Sequence, residues 1–170
     1  MYDLAWGSAA LFSSTGADGT VRVFDMRDKD HSAIVYEAQN RAQPLIRLAW
    51  NKADPHYIAA VAMDSPVALL LDLRFPSAPV AEISGHTAPA NAIAWAPLSS
   101  SHLCTAGDDH QALLWDLGDI SAPSAGPRAC ASPPTVAFAA DQCINQLKWS
   151  SLQPDWVALC YGRTTQILKV

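Results

Sequence analysis

The chain has 170 residues, of which 50% are hydrophobic and 16% are charged, and its formal net charge is −5. This length allows one domain with a real core, and the hydrophobic fraction excludes a chain that is disordered by composition. Direct binding to nucleic acid is disfavoured, because affinity for phosphate depends on clustered Lys and Arg and the sequence has no basic run.

Neither a membrane span nor a signal peptide is expected. No apolar run reaches the roughly 18 residues of a spanning helix, and the opening MYDLAWGSAA lacks a basic start. The cysteines at 104, 130, 143 and 160 form no CxxC pair, and we interpret most of them as small core residues. We expect a soluble, reduced, intracellular protein.

A repeat runs along the chain, marked by tryptophans at 6, 50, 95 and 149, with spacings of 44, 45 and 54 residues. Around each tryptophan lie short segments rich in Val, Ile, Leu and aromatic residues and bounded by turn residues, which is typical of strands. In chain order the predicted strands are YDLAW (2–6), ALFSST (10–15), TVRVFD (20–25), AIVYE (33–37), LIRLAW (45–50), HYIAAVA (56–62), VALLLD (67–72), VAEIS (80–84), NAIAW (91–95), HLCTAG (102–107), QALLWD (111–116), TVAFA (135–139), INQLKW (144–149), DWVALCY (155–161) and TQILKV (165–170).

Four short antiparallel strands every 40–45 residues are typical of a β-propeller blade, and no segment shows a helical period over 11 residues or more. The sequence therefore predicts an all-β fold of about four blades. The predicted repeats span about 1–37, 45–84, 91–139 and 144–170. The segment 118–135, rich in Pro, Ser and Ala, is predicted to be a flexible excursion between two outer strands of the third blade. Ser132-Pro133 within it is either a proline-directed phosphorylation site or part of a passive linker.

The third repeat, GHTAPANAIAWAPLSSSHLCTAGDDHQALLWD (85–116), resembles a WD40 repeat, with Gly-His, a turn Asp and a final Trp-Asp in order. This resemblance implies one hydrogen-bonded chain of side chains, whose members satisfy each other's buried polar groups. The other repeats are degraded: Phe24 and Leu71 stand in the tryptophan position of the first two, and the fourth lacks Trp-Asp altogether. We expect apolar packing to hold those blades. In the third repeat, by contrast, the hydrogen-bonded chain that the resemblance implies consists of His86, Thr105, Asp109 and Trp115.

The acidic turn Asp108-Asp109-His110 allows a catalytic or a metal-binding interpretation as well. A catalytic acid–base role is disfavoured, because the WD40 pattern explains Asp109 and the sequence contains no GxSxG, GxxxxGK[ST] or GxGxxG motif. A metal site built from His102, Cys104 and His110 lacks a fourth ligand. We therefore expect no enzymatic activity, cofactor, metal or small-molecule substrate.

Phrases outside the third repeat carry a second resemblance: ADGTVRVFDMRDKDHS (17–32), PLIRLAWNKADPHYIA (44–59) and INQLKWSSLQPDWVALCY (144–161). They resemble the C-terminal half of the Transparent Testa Glabra family of plant WD-repeat regulators, and its animal counterpart that serves as a kinase scaffold. The resemblance implies a non-catalytic seven-bladed propeller of the cytoplasm and nucleus. Its implied partners are MYB and basic helix-loop-helix transcription factors, or kinases and a cullin-4 ubiquitin ligase. About four repeats are present, so we expect an open arc.

Two interaction surfaces follow from these resemblances. The turns at 17–19, 64–66, 108–110 and 162–163, with the loops at 38–44, 85–90 and 140–142, are predicted to form one partner-binding face. The second surface is a docking motif for a cullin-4 adaptor, Trp-Asp-x-Arg, which has lost its tryptophan in FDMR (24–27) and LDLR (71–74). These arginines alternatively only pair with nearby carboxylates. The candidate residues of the partner-binding face are Asp18, Asp64, Asp108, His110 and Arg163, and those of the docking motif are Asp25, Arg27, Asp72 and Arg74.

Overall fold

The computed structural model describes residues 1–38, 43–118, 128–129 and 133–170. Within this range the chain forms strands and turns, and no helix long and apolar enough to span a membrane is found. The strands are β1 Asp3–Trp6, β2 Leu11–Thr15, β3 Thr20–Asp25, β4 Asp28–Glu37, β5 Leu45–Trp50, β6 Tyr57–Ala62, β7 Val67–Asp72, β8 Ala81–Ser84, β9 Ala90–Trp95, β10 His102–Gly107, β11 Gln111–Asp116, β12 Arg128–Ala129, β13 Thr135–Ala139, β14 Ile144–Trp149, β15 Trp156–Tyr161 and β16 Thr164–Lys169.

These strands form four sheets, which we call blades 1 to 4. Blade 1 has the order β1-β2-β3-β4, blade 2 has β5-β6-β7-β8 with β12 at its edge, blade 3 has β9-β10-β11-β13, and blade 4 has β14-β15-β16. Apart from the pairing of β12, every ladder between consecutive strands is antiparallel. The predicted all-β arrangement of propeller blades in an arc that does not close is confirmed.

Each blade packs on the next through alternating side chains. Because successive residues of a strand point to opposite faces of the sheet, every blade has a front face toward the preceding blade and a back face toward the following one. One buried apolar cluster joins blades 1 and 2, a second joins blades 2 and 3, and a third joins blades 3 and 4. The core is therefore a series of apolar layers between sheets. A blade that lies between two others buries apolar residues on both of its faces.

Hydrogen bonds between blades supplement this packing. The backbone N–H of Leu48 donates to Asp3 Oδ2 at 2.9 Å, which joins the inner strands of blades 1 and 2. The indole Nε1 of Trp95 donates to the carbonyl oxygen of Ala49 at 3.1 Å, between blades 2 and 3. Such bonds fix the position of one sheet on the next, because apolar contact alone is not directional.

The segment between β11 and β13 departs from the prediction in one respect. Its described strand β12 pairs in parallel with β8, with Arg128 opposite Ala81, so it extends blade 2 and not blade 3. Residues 119–127 and 130–132, which include Ser132 and Cys130, lie outside the described residues. A strand of two residues gives too little pattern to be predicted from sequence.

The interpretation of the cysteines as core residues holds for one of the three that the structure describes. Cys104 is buried, and this burial raises the pKa of its thiol to about 12, so it stays protonated. Cys143 is half-buried. Cys160 is exposed, contrary to the interpretation, because it lies on the back face of blade 4, where no further sheet packs in the described part of the chain.

Candidate interaction surfaces

Four side chains of blade 3 lie within hydrogen-bonding distance of one another in the order that the WD40 resemblance implies. The Trp115 indole donates to Thr105 Oγ1 at 2.8 Å, and Thr105 Oγ1 lies 2.7 Å from His86 Nε2. His86 Nδ1 lies 2.8 Å from Asp109 Oδ2. Since Thr105 accepts from the indole, its hydroxyl is available to donate to His86 Nε2, and Nδ1–H then donates to the carboxylate. The chain links β10, β11 and the segment before β9.

The local fold fixes Asp109 as well. Its Oδ2 also accepts the backbone N–H of Thr87 at 3.1 Å, and its Oδ1 accepts that of Gln111 at 3.2 Å. The side chains of His86 and Asp109 are only 2% and 3% exposed. With these contacts made, Asp109 serves to hold the turn before β11 against the segment before β9.

The two neighbours of Asp109 occupy different environments. His110 is exposed and has a positive φ of 65°, which completes the tight turn. Asp108, a candidate residue of the partner-binding face and thus expected to be exposed, is instead half-buried. Its Oδ1 accepts from Asn91 Nδ2 at 2.6 Å, and the same amide donates to the Ile144 carbonyl at 3.2 Å. Asp108 therefore contributes to blade packing, which the sequence pattern does not reveal.

The other predicted members of the partner-binding face lie in turns at the same ends of the hairpins. Asp18 accepts from the Thr20 hydroxyl at 2.8 Å and lies 3.7 Å from Arg22; its pKa is lowered, chiefly by the hydrogen bond from Thr20. Asp64, with a positive φ of 56°, and Arg163 are exposed in the corresponding turns of blades 2 and 4. Residues 39–42 of the predicted loop 38–44 lie outside the described residues.

The three residues of the disfavoured metal site do not converge. His102 is the first residue of β10, and its Nδ1 is hydrogen-bonded to Ser99 Oγ at 2.7 Å. His110 lies beyond the other end of that strand. Among the described residues, no group of three or more His, Cys, Asp or Glu side chains could hold a metal ion. Cys104 is buried in the cluster between blades 3 and 4.

The two Asp-x-Arg motifs have nearly the same geometry in consecutive blades. Arg27 donates from Nε to Asp25 Oδ1 at 2.9 Å and from Nη2 to Oδ2 at 2.6 Å. Arg74 donates from Nε to Asp72 Oδ1 at 2.9 Å and from Nη2 to Oδ2 at 2.7 Å. Each pair is thus bidentate, the geometry in which a guanidinium is held planar against a carboxylate. The pairing with nearby carboxylates, the alternative left open by the sequence, does occur.

Burial distinguishes the two pairs. The side chain of Asp25 is 31% exposed, and its pKa is lowered to about 2, chiefly by the side-chain hydrogen bond from Arg27. The side chain of Asp72 is 4% exposed. Burial by itself raises the pKa of Asp72, but the hydrogen bonds and charge of Arg74 outweigh this effect and lower it. Arg74 also donates to the Tyr57 hydroxyl at 3.0 Å and lies over its ring at 5.5 Å.

Two exposed apolar side chains accompany these arginines. Met26, 46% exposed, precedes Arg27, and Phe75, 55% exposed, follows Arg74. We call the set Met26, Arg27, Arg74 and Phe75 the arginine face. Sequence reasoning missed Met26 and Phe75, because an apolar residue in a turn gives no periodic signal of whether it is buried.

Comparison with known proteins agrees with this architecture. Residues 77–116 match the family model of the WD domain, G-beta repeat. These residues form a WD40 repeat. It is 46% identical over 171 residues to the DDB1- and CUL4-associated factor 7 homolog of Dictyostelium discoideum, covering 100% of this chain and 50% of that protein.

Two fungal relatives are also similar. An uncharacterized WD repeat-containing protein of Schizosaccharomyces pombe is 31% identical over 223 residues, with 100% of this chain and 51% of the relative covered. A WD repeat-containing protein of Saccharomyces cerevisiae is 37% identical over 126 residues, with 65% and 24% covered. This WD40 chain spans about half the length of the first two relatives.

Proposed function

We propose that this WD40 chain is a non-enzymatic interaction scaffold that docks on a cullin-4 adaptor through its arginine face. The observation that carries the proposal is the repetition of one bidentate Asp-x-Arg pair at the same position of two consecutive blades, Asp25–Arg27 and Asp72–Arg74. It is supported by the 46% identity to a protein whose name associates it with DDB1 and CUL4.

The chemistry of the arginine face suits a protein partner. Each guanidinium is already held by its aspartate, so little side-chain entropy remains to be lost on docking. Among the described residues, the Nη1 group of neither arginine has a hydrogen-bond partner, which leaves donors for acceptors of an adaptor. Met26 and Phe75 supply apolar area beside these donors, and Arg and aromatic residues are enriched where interfaces are strongest.

The test is binding of purified DDB1 to the wild-type chain and to the double variant Arg27→Ala/Arg74→Ala, measured by surface plasmon resonance. We expect affinity to fall at least about tenfold, since central arginines of an interface often contribute that much. The matched control is Arg163→Ala, which removes an exposed arginine from a turn at the opposite ends of the hairpins. Unchanged binding by the double variant would refute the docking site.

Loss of Arg74 leaves the buried carboxylate of Asp72 without its partner, so a second variant separates binding from folding. Met26→Asp/Phe75→Asp leaves both ion pairs intact and places charge on the apolar part of the arginine face. We expect its free energy of unfolding to lie within about 0.5 kcal/mol of the wild-type value, as for most surface changes. Its loss of DDB1 binding is expected to be similar to that of Arg27→Ala/Arg74→Ala.

A second candidate function rests on the resemblance of three phrases, 17–32, 44–59 and 144–161, to the plant regulators. The three relatives described above do not carry that name, so membership of the Transparent Testa Glabra family stays a proposal. In this function, the turns bearing Asp18, Asp64, His110 and Arg163 contact MYB or basic helix-loop-helix proteins, or kinases, in cytoplasm and nucleus. Co-precipitation of this chain with such proteins tests it, and the absence of any such partner would count strongly against it.

A further inference from the structure

The end of the hairpins that bears the arginine face also bears a second set of turns. These are the turns between the first two strands of each blade, which we call the inner turns and which span 7–10, 51–56, 96–101 and 150–155. In every blade a backbone N–H just beyond the third strand donates to a carbonyl oxygen of the inner turn, at 2.8 or 2.9 Å. These bonds run from Met26 to Ala10, from Leu73 to His56, from Leu117 to Ser101 and from Val170 to Asp155.

The inner turns of blades 2, 3 and 4 have the same length and the same closure. In each turn the N–H of the residue after the tryptophan donates to the carbonyl oxygen six residues further on. These bonds join Asn51 to Tyr57 at 3.0 Å, Ala96 to His102 at 3.0 Å and Ser150 to Trp156 at 2.9 Å. Because the turns close identically, their residues correspond one to one. The third residue after the tryptophan is Ala53 in blade 2, Leu98 in blade 3 and Leu152 in blade 4.

The side chains of Leu98 and Leu152 are directed to solvent. They are 77% and 93% exposed, and among the described residues only Met1 is a comparably exposed large hydrophobic residue. Blade 3 packs on blade 2 through one buried cluster and on blade 4 through another. The exposure of Leu98 is therefore a property of its turn and not of an uncovered blade face. Leu152 occupies the same position of the same turn, so its exposure has the same origin.

Hydrogen bonds hold the backbone of both turns in place. In blade 3 Ser99 Oγ accepts the N–H groups of Ser101 and His102, both at 3.2 Å. In blade 4 Ser150 Oγ accepts the N–H of Gln153 at 3.1 Å. A leucine on a turn that is already ordered loses little further conformational freedom when a partner covers it, which favours binding.

Side chains also join the inner turns of neighbouring blades. Asn51 is buried and donates from Nδ2 to the Ser100 carbonyl at 2.9 Å, which connects the turns of blades 2 and 3. Lys52 donates from Nζ to the carbonyl of Trp6, the residue before the inner turn of blade 1. The inner turns of blades 1 to 3 thus form one connected surface at the end that bears the arginine face.

Large apolar side chains are distributed unequally between the two ends of the hairpins. The end with the arginine face exposes one from each blade, Met26, Phe75, Leu98 and Leu152. At the opposite end, the turns between the second and third strands, at 16–19, 63–66, 108–110 and 162–163, expose none. Single exposed apolar residues are ordinary on a protein surface, but one from every blade at the same end indicates an interaction surface.

The arginine face alone is too small for a specific protein interface. Such an interface buries about 800 Å² of each partner and involves about 20–30 residues on each side. The arginine face supplies four side chains, all from blades 1 and 2. A cullin-4 adaptor that binds Arg27 and Arg74 must therefore also cover neighbouring turns at the same end.

We propose that Leu98 and Leu152 extend the arginine face onto blades 3 and 4, so that one adaptor molecule lies across the same end of all four blades. This inference rests on the proposed docking of the adaptor and adds a second part to that docking site. The arginines supply directional hydrogen bonds, and the leucines supply apolar area that leaves water only when the adaptor lies over blades 3 and 4. The matching surface of the adaptor has apolar pockets for the leucines beside acceptors for the arginines.

The experiment measures the affinity of purified DDB1 for the wild-type chain and for Leu98→Asp/Leu152→Asp by surface plasmon resonance, with the arginine double variant in parallel. We expect the leucine variant to bind at least about tenfold more weakly, since full burial of one leucine side chain contributes at least that factor. The matched control is Ala17→Asp/Pro66→Asp, which places the same two charges at exposed positions of turns at the opposite end. Its affinity is expected to equal that of the wild type.

The outcomes separate this inference from the proposed function. Wild-type affinity of the leucine variant together with weak binding by the arginine variant would overturn the inference and leave the arginine docking site intact. Weak binding by the leucine variant alone would refute docking through the arginines and keep the leucines as contacts of the adaptor. A wild-type chain that does not bind DDB1 would refute both.

Two further measurements exclude other causes of weak binding. Urea titration checks that the leucine variant folds; if its charges unfold the chain, Leu98→Ser/Leu152→Ser replaces it. Light scattering tests whether the leucines bind a second copy of the chain instead. A wild-type mass above 18.2 kDa that falls to 18.2 kDa only in the leucine variant would overturn the inference.

Discussion

Blades 2 and 3 solve the same packing problem with different side chains. In blade 3 an apolar row across three strands, Trp95–Leu103–Trp115, ends at Trp115. The indole of Trp115 starts a buried chain of hydrogen bonds through Thr105 and His86 to Asp109. In blade 2 Leu71 takes the position of Trp115, and no counterpart of that chain is formed among the described residues. Yet blade 2 is at least as well buried: all six residues of β6 are buried.

The difference teaches that the WD40 hydrogen-bond chain identifies a blade without being required for one. A protein hydrogen bond contributes only about 0.5–1.5 kcal/mol net, because its groups bond to water in the unfolded chain. Burying a leucine or isoleucine side chain contributes about 1.5–3 kcal/mol. Blade 2 lies between two apolar clusters, so packing can replace the polar chain there.

The largest effect is expected for Trp115→Ala. Trp115 is fully buried between blades 2 and 3, and removing its side chain creates a cavity that costs about 3–5 kcal/mol. The Thr105 hydroxyl also loses its donor. The free energy of unfolding from urea titrations measures the effect, and Trp115→Phe is the matched control, because it keeps most of the volume but loses the indole N–H. A loss below about 1 kcal/mol for Trp115→Ala would contradict the packing role.

Leu71→Ala tests whether blade 2 depends on its apolar row as strongly as blade 3 does. Leu71 is 1% exposed and belongs to the cluster between blades 1 and 2, so we expect a loss of about 2–5 kcal/mol in the same urea measurement. Leu152→Ala, at a side chain 93% exposed, is the control and is expected to change stability by less than about 0.5 kcal/mol. Equal effects of the two alanines would show that apolar packing does not hold blade 2.

Asp109→Asn addresses the polar chain alone. The buried carboxylate accepts from His86, Thr87 and Gln111, and an amide places two donors where only donors converge. We expect a loss of about 1–3 kcal/mol. Asp64→Asn is the control from the corresponding turn of blade 2; this side chain is exposed, and asparagine tolerates its positive φ, so stability is expected to change by less than about 0.5 kcal/mol.

The blades and the polar chain of blade 3 can both be predicted from the sequence. The tryptophan period and the strand pattern predict the blades, because strands that bury both faces are short, nearly continuous apolar runs bounded by turn residues, and these recur in every repeat. The spacing within 85–116 also indicates which four side chains of blade 3 come together. Both signals are local or strictly periodic, which is why sequence alone can carry them.

Features that depend on neighbouring blades could not be predicted from the sequence. The Asn91 amide that donates to Asp108 also donates to the Ile144 carbonyl of blade 4. The strand β12 joins blade 2, and Cys160 is exposed on a back face. Each depends on which sheet lies opposite, and a single repeat pattern does not contain this information. The same holds for Met26 and Phe75, whose exposure follows from turn geometry and not from periodicity.

The smallest effect concerns the ion pair that blade 2 has near the end of its apolar row. The pKa of Asp72 is lowered below its ordinary 3.8, so its pairing with Arg74 stabilises the folded chain above that value. As the pH falls from there through the lower folded pKa, the unfolded chain takes up the proton first and this stabilisation is lost. Asp72→Asn lacks the titration. We therefore expect the stability difference between wild type and Asp72→Asn to be constant above about pH 5 and to shrink in acid. Urea titrations of both proteins across this range measure it. A difference that grows on acidification would mean that burial, and not Arg74, dominates the pKa of Asp72, and that blade 2 relies on apolar packing alone.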